Sequence, residues 1–213
     1  MSEAALLSAA EARVIAALTE KSLTTPDYYP MTVNGLVAAC NQKSSRHPLM
    51  SLSEGEVGNA LLTLEAANLV GRDDSSPRAT KWRSKLLHQR LLKPATQAVL
   101  VALMLRGAQT TAELKAHAAP LNGPADAEGV EAALADLADR AQPLVKTLPR
   151  AAGQSAVRHA HLLCGEPIVE PTAERPAVAG GGLEARVGAL EARLAALEAL
   201  LAQQNGTRSQ AET

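Results

Sequence analysis

The sequence contains no phenylalanine, and one tryptophan and two tyrosines are the only aromatic residues among its 213 positions. Without rings to fill it, the core has to be built from Leu, Val and Ala. That suits helices packed closely on one another better than a large sandwich of sheets. The same scarcity argues against a stacking platform for single-stranded nucleic acid. Cysteine is nearly absent too: Cys40 and Cys164 lie far apart with no CxxC pair, which excludes a disulfide framework and fits a reduced, cytoplasmic protein. No run approaches the roughly 18 apolar residues of a membrane span. The opening "MSEAALLSAAEARV" carries an acid where a signal peptide needs a base, so neither export nor membrane insertion is expected. Excess charge is also missing, the formal net charge being -1, and any nucleic-acid signature must therefore be local.

What is present has a regular order. "SAAE", Ser8 to Glu11, reads as a capping box that opens a first helix, with Val14, Ile15 and Leu18 forming one apolar stripe. Pro26 and Pro30 keep "TTPDYYP" non-helical. A second helix is expected from about Thr32 to Gln42, placing Val33, Leu36, Val37 and Cys40 on its buried face. A second capping box, Ser53 to Glu56, opens a third helix that buries Val57, Leu61 and Leu64. "LVGRDDSSPRATKWRS" then reads as a β-hairpin. Three helices followed by a hairpin is the order of a winged helix-turn-helix domain.

The pattern recurs. "AEARVIAALTEKSLTT" aligns with "TQAVLVALMLRGAQTT" at an offset of 86, matching Thr24 and Thr25 to Thr110 and Thr111. "EVGNALLTL" aligns with "GVEAALADL" at an offset of 73, matching Val57, Leu61 and Leu64 to Val130, Leu134 and Leu137. The smaller second offset assigns the second copy a shorter middle, lacking most of the polar "NQKSSRHP" segment. "LVKTLP" and "AVRHAHLL" form a second hairpin candidate. The expected architecture is mainly α with small β-hairpin wings (α+β): tandem winged helices over residues 1–85 and 86–165, bridged by "KLLHQRLLK".

Residues 166–182 are a Pro- and Gly-rich linker. Within 183–203, Leu183, Val187, Leu190, Leu194, Leu197 and Leu201 follow an unbroken 4, 3, 4, 3, 4 spacing, the a/d seam of a coiled coil. Opposite charges at Arg186 and Arg193 against Glu191 and Glu198 suit a parallel pair. Self-association through residues 183–201 is the expectation; the alternative is a single amphipathic helix folded back on the protein. Residues 204–213 read as a polar, disordered tail.

No catalytic constellation is visible. Cys40 lies on an apolar stripe, which makes it a small core residue before it is a nucleophile. The cluster Asn41 to His47 covers a helix C-terminus, where amides and cations bond the last carbonyls, with phosphate contact by Lys43 or Arg46 as the other reading. "HAHLLC" puts His159 and His161 on one strand face and Cys164 on the other, so exposed strand histidines are expected there and no metal site. Gly-rich phosphate loops, HExxH, GxSxG and paired-carboxylate motifs do not occur, and no cofactor is implied.

A local charge signal does exist. Between Ser75 and Ala112 there is no Asp or Glu, while Arg78, Lys81, Arg83, Lys85, Arg90, Lys93 and Arg106 are present. On the second hairpin strand Lys81 and Arg83 share the face opposite Trp82, making Arg78, Lys81, Arg83 and Lys85 a candidate phosphate clamp. The third helix argues the other way, offering Glu54, Glu56 and Glu65 and no Lys or Arg between Ser53 and Asn68. Its counterpart carries Asp126, Glu128, Glu131, Asp136 and Asp139. Carboxylates repel phosphate, and this departs from an ordinary DNA reader.

The run "LSAAEARVIAALTEKSLTTPDYYPMTVNGLVAACNQKSSRHPLMSLSEGEV", together with "LRGAQTTAELKAHA" and "HAHLL", closely resembles the YceH-like family of uncharacterised bacterial proteins over about Leu7 to Gly165. The resemblance implies a tandem pair of winged helices and supplies no binding or catalytic residues. The expected function is a non-enzymatic module that binds double-stranded DNA as a dimer. Its rival is a protein-interaction module like those of chromosome-associated complexes.

Overall fold

The computed structural model describes residues 6–73, 79–150 and 156–167, all within a compact unit spanning Met1–Val169. Arg78, the linker and the heptad positions Leu183, Val187, Leu190, Leu194, Leu197 and Leu201 lie outside the described residues.

The described chain is mainly helical with two small antiparallel hairpins. The first half runs α1 (Ala9–Thr24), α2 (Val33–Cys40), α3 (Glu54–Ala66), β1 (Val70–Asp73) and β2 (Lys81–Ser84). A short α4 (Leu86–Gln89) leads into α5 (Pro94–Arg106), α6 (Thr111–Ala118), α7 (Ala127–Ala138), β3 (Val145–Leu148) and β4 (Arg158–His161).

The helix starts are set by local chemistry. Ser8 and Glu11 form a reciprocal capping box, as do Ser53 and Glu56. Thr110 and Glu113 form a third at the head of α6. Thr32 caps α2 by accepting from the Gly35 N–H, and Asp126 caps α7 by accepting from the Gly129 N–H. Pro94 opens α5, where its missing N–H costs nothing. Gly107 closes that helix at φ 74° and ψ -156°, a conformation that a Cβ would strain.

Both hairpins pair in antiparallel register, Arg72 standing opposite Trp82 and Thr147 opposite His159. Each gains one further pair from the segment ahead of the second helix of its copy: Met31 with Trp82, and Gln109 with His159. These pairs redefine the repeat. Thr32, Leu36 and Cys40 correspond to Thr110, Leu114 and Ala118, an offset of 78. The offset therefore falls from 86 to 78 ahead of the second helix, and from 78 to 73 only after it. Most of the shortening removes the "PDYYP" turn and not, as the sequence alignment suggested, the "NQKSSRHP" segment.

The two copies share one continuous buried cluster. Helix α5 lies at its centre, packed against α1, α6 and α7, with every residue from Thr96 to Leu105 buried. Removing a Leu or Val side chain of this kind from water contributes roughly 1.5–3 kcal/mol. The counterparts Val57, Leu61, Leu64 and Val130, Leu134, Leu137 are all buried, as the helical spacing predicted. Cys40 is fully buried at the position that Ala118 fills in the second copy, which makes it a small packing residue. Burial raises its thiol to about 11. No helix among the described residues is long and apolar enough to cross a membrane.

Candidate functional site

The segment between α2 and α3 carried the richest chemistry in the sequence, and the structure places most of it inward. Asn41 donates from Nδ2 to the Leu52 carbonyl and accepts the Leu52 N–H at Oδ1, both at 2.8 Å, fastening the two ends of the loop. This is why α2 ends at Cys40, two residues short of the expected Gln42. Arg46 donates from Nε (3.1 Å) and Nη2 (2.9 Å) to the Ala39 carbonyl and from Nη1 and Nη2 to the Glu20 carboxylate, at 3.1 and 2.5 Å. Its side chain is 0 % exposed. Arg46 is thus a C-terminal cap of α2 and an interior ion pair, and it leaves the set of candidate phosphate contacts. A second buried cation, Arg13, donates to the carbonyls of Cys40 and Pro48 at 3.2 and 2.7 Å. Burial and the neighbouring Arg46 charge both lower its pKa.

The hairpin cations divide in the same way. Trp82 packs inward and Arg83 outward, as the alternation required. Arg83, however, is ion-paired with Asp73 and lies 5.6 Å from the centre of the Tyr29 ring. Arg72 pairs with Glu65 at 2.9 Å and stacks over Trp82 at 5.2 Å. Lys85 donates to Asn68 Oδ1 at 3.0 Å. Lys43 is exposed and Lys81 half-buried, and no carboxylate among the described residues lies within ion-pair distance of either. The exposed face of α3 consists of Glu54, Gly55, Glu56, Asn59, Leu62, Thr63 and Ala66, with Leu62 53 % exposed.

A site the sequence did not indicate lies where the two copies meet. Ser45, Arg46 and His47 of the loop, Arg106 at the end of α5, Gln109 beyond it, Glu113 and His117 of α6, and Arg158 of β4 line a cleft of about 440 Å³. The loop is joined to the second copy at two points: Arg106 donates to Ser45 Oγ at 2.7 Å, and the His47 N–H donates to the Leu105 carbonyl at 2.8 Å. Arg158 donates to the Ala108 carbonyl and to Glu113. Burial lowers the Arg106 pKa, and no carboxylate among the described residues forms an ion pair with it. These residues are 113 positions apart at the extremes, so only repeat geometry brings them together.

The histidines of β4 differ from expectation. Both are partly buried, because β4 packs against α5. His159 Nδ1 bonds with Thr147 Oγ1 at 3.1 Å, while His161 Nδ1 is buried with no hydrogen-bond partner among the described residues and burial pushes that ring down to about 4. No three His, Cys, Asp or Glu side chains among the described residues are placed to hold a metal ion.

Residues 7–154 match the protein family described as "Protein of unknown function, DUF480". A UPF0502 protein of Azoarcus sp. (strain BH72) is 45 % identical over 177 residues, which is 83 % of this chain and 78 % of that relative. A UPF0502 protein of Geobacter sulfurreducens is 45 % identical over 162 residues, covering 76 % and 74 %. One of Burkholderia orbicola is 45 % identical over 181 residues, covering 84 % and 75 %. The chain therefore belongs to the DUF480/UPF0502 family of bacterial proteins, as the "ACNQKSSRHP" segment between α2 and α3 indicated.

Proposed function

We propose that each copy is a winged helix and that the chain is a non-catalytic binding module whose first copy docks a protein through α3. The carrying observation is the exposed face of that helix. In a DNA-reading winged helix this element enters the major groove, where Lys and Arg answer phosphate. Here it presents Glu54, Glu56 and an exposed Leu62, with small residues between them and no cation. Leu62, two turns and about 12 Å along the helix from Glu54, fits a partner segment that carries an aliphatic residue and a basic one at that spacing. Engagement of Arg46 with Glu20, Arg83 with Asp73 and Arg72 with Glu65 further reduces the charge available to a nucleic acid. Coiled-coil pairing through residues 183–201 would add avidity to such docking.

The experiment places a photo-crosslinker at Leu62 in the intact chain in cells. The expected result is one specific adduct, abolished by Glu54→Lys, whose purified partner binds the wild-type chain and not the variant. In parallel, duplex DNA is titrated at several salt concentrations with wild type, Leu62→Asp and the Lys81→Glu, Arg83→Glu double variant. Duplex binding that persists near physiological salt, is lost in the double variant and is indifferent to Leu62→Asp would overturn the protein reading in favour of DNA. So would the absence of any adduct at Leu62.

A further inference from the structure

We propose that the polar cleft between the copies is a binding site for a compact oxyanion, the phosphate or carboxylate group of a small molecule. The inference is independent of what α3 docks.

The two copies differ at this cleft. The first copy has a corresponding hollow of about 500 Å³ beside α2, lined by Met31, Ala39 and Lys81 among others. At the equivalent positions of the second copy stand Gln109, His117 and Arg158. Within one fold, an apolar pair has thus been replaced by a hydrogen-bonded polar pair, and Glu20 of α1 by Arg106 of α5. In the second copy this set also meets the loop of the first, Arg106 bonding Ser45 Oγ and the Leu105 carbonyl accepting the His47 N–H.

The hydrogen bonds around this pair determine which atoms remain available. Gln109 is buried, and its Nε2 donates to the carbonyls of Ala102 and Gly107 at 2.9 and 3.2 Å. Its Oε1 can only accept, so His117 Nδ1, 2.6 Å away, carries the proton. His117 Nε2 is left with no partner among the described residues. Glu113 is already engaged, Oε2 accepting from the Thr110 N–H and hydroxyl and Oε1 from Arg158. Arg46 is answered by Glu20 and Arg158 by Glu113, whereas the Arg106 guanidinium has, among the described residues, one hydroxyl acceptor for its five N–H donors. A half-buried guanidinium beside an imidazole that can take up a proton is suited to a tetrahedral or planar oxyanion. The volume admits a phosphate with a small organic group attached.

Calorimetric titration of the full chain with sodium phosphate and, separately, sodium acetate, at constant ionic strength set by chloride, tests the site. Saturable binding of phosphate is expected, weakened at least tenfold by Arg106→Gln and unchanged by Lys81→Gln, the counterpart of Arg158 in the first copy. Acetate binding with the same dependence on Arg106, in place of phosphate binding, would assign the site to carboxylates. Should Arg106→Gln fail to fold, the wild type still decides: the His117 ring, followed by NMR, must titrate at higher pH when the anion is present. Absence of saturable binding by either anion, equal binding by Arg106→Gln, or a His117 titration that the anion leaves unmoved overturns the proposal.

Discussion

Arg46 Nη2 lies 2.5 Å from Glu20 Oε2, joining the loop after α2 to the C-terminal turn of α1 across 26 residues of sequence. The same guanidinium holds the Ala39 carbonyl at the end of α2. One buried side chain therefore fixes a helix end, a loop and a neighbouring helix together.

Removing the charge of Glu20 leaves that guanidinium buried and unanswered. Glu20→Gln is expected to cost about 3 kcal/mol of stability. Lys21→Ala, which removes only the more exposed cation 3.7 Å from the same carboxylate, is expected to cost under about 0.5 kcal/mol. Urea denaturation of the two variants checks the contrast.

The two cysteines should differ sharply in reactivity. Cys40 is fully buried, with its thiol held near 11, whereas Cys164 is exposed. A disulfide-exchange reagent is expected to modify one thiol in the folded chain and two after denaturation. In Cys164→Ser the folded chain should show none. Modification of Cys40 without unfolding would contradict its placement in the core.

Acid should weaken the fold through His161. The buried ring titrates near 4 when folded, against about 6.5 when unfolded. Over that window the unfolded chain binds more protons, so stability is full above about pH 6.5 and falls as pH drops towards 4. The ring is expected to account for a loss of about 2 kcal/mol between pH 7 and pH 5, and His161→Leu should flatten that part of the profile. Denaturant titrations at the two pH values measure it.

Gly107 ends α5 in a region of backbone space open essentially to glycine alone, although a Cβ there would make only an ordinary contact with His47. Gly107→Ala is therefore expected to cost about 1–3 kcal/mol through backbone strain and not through a clash. A thermal unfolding curve that matches wild type would show that the turn relaxes freely.

Much of the described architecture was legible because it is written in short-range chemistry. Ser8 with Glu11 and Ser53 with Glu56 announce helix starts because each pair closes a hydrogen-bonded ring within one turn. The spacing of Val57, Leu61 and Leu64 marks a buried face because the helix repeats every 3.6 residues. The alternation around Trp82 sorts a strand into an inner and an outer side. Tertiary structure decided what the polar residues do. Lys43, which is exposed, and Arg46, which is buried, read alike in a loop, and only the approach of Glu20 and the end of α2 separates them. Arg13 stands beside the apolar Val14 and Ile15 in sequence, and its role is fixed only by the carbonyls of Cys40 and Pro48 that folding brings to it. The cleft of Arg106, His117 and Arg158 has no local signature, since it exists only where one copy of the repeat packs on the other. Helix caps and apolar periodicity act over a few residues and can be read along the chain; a charge takes its role from partners that folding alone brings within reach.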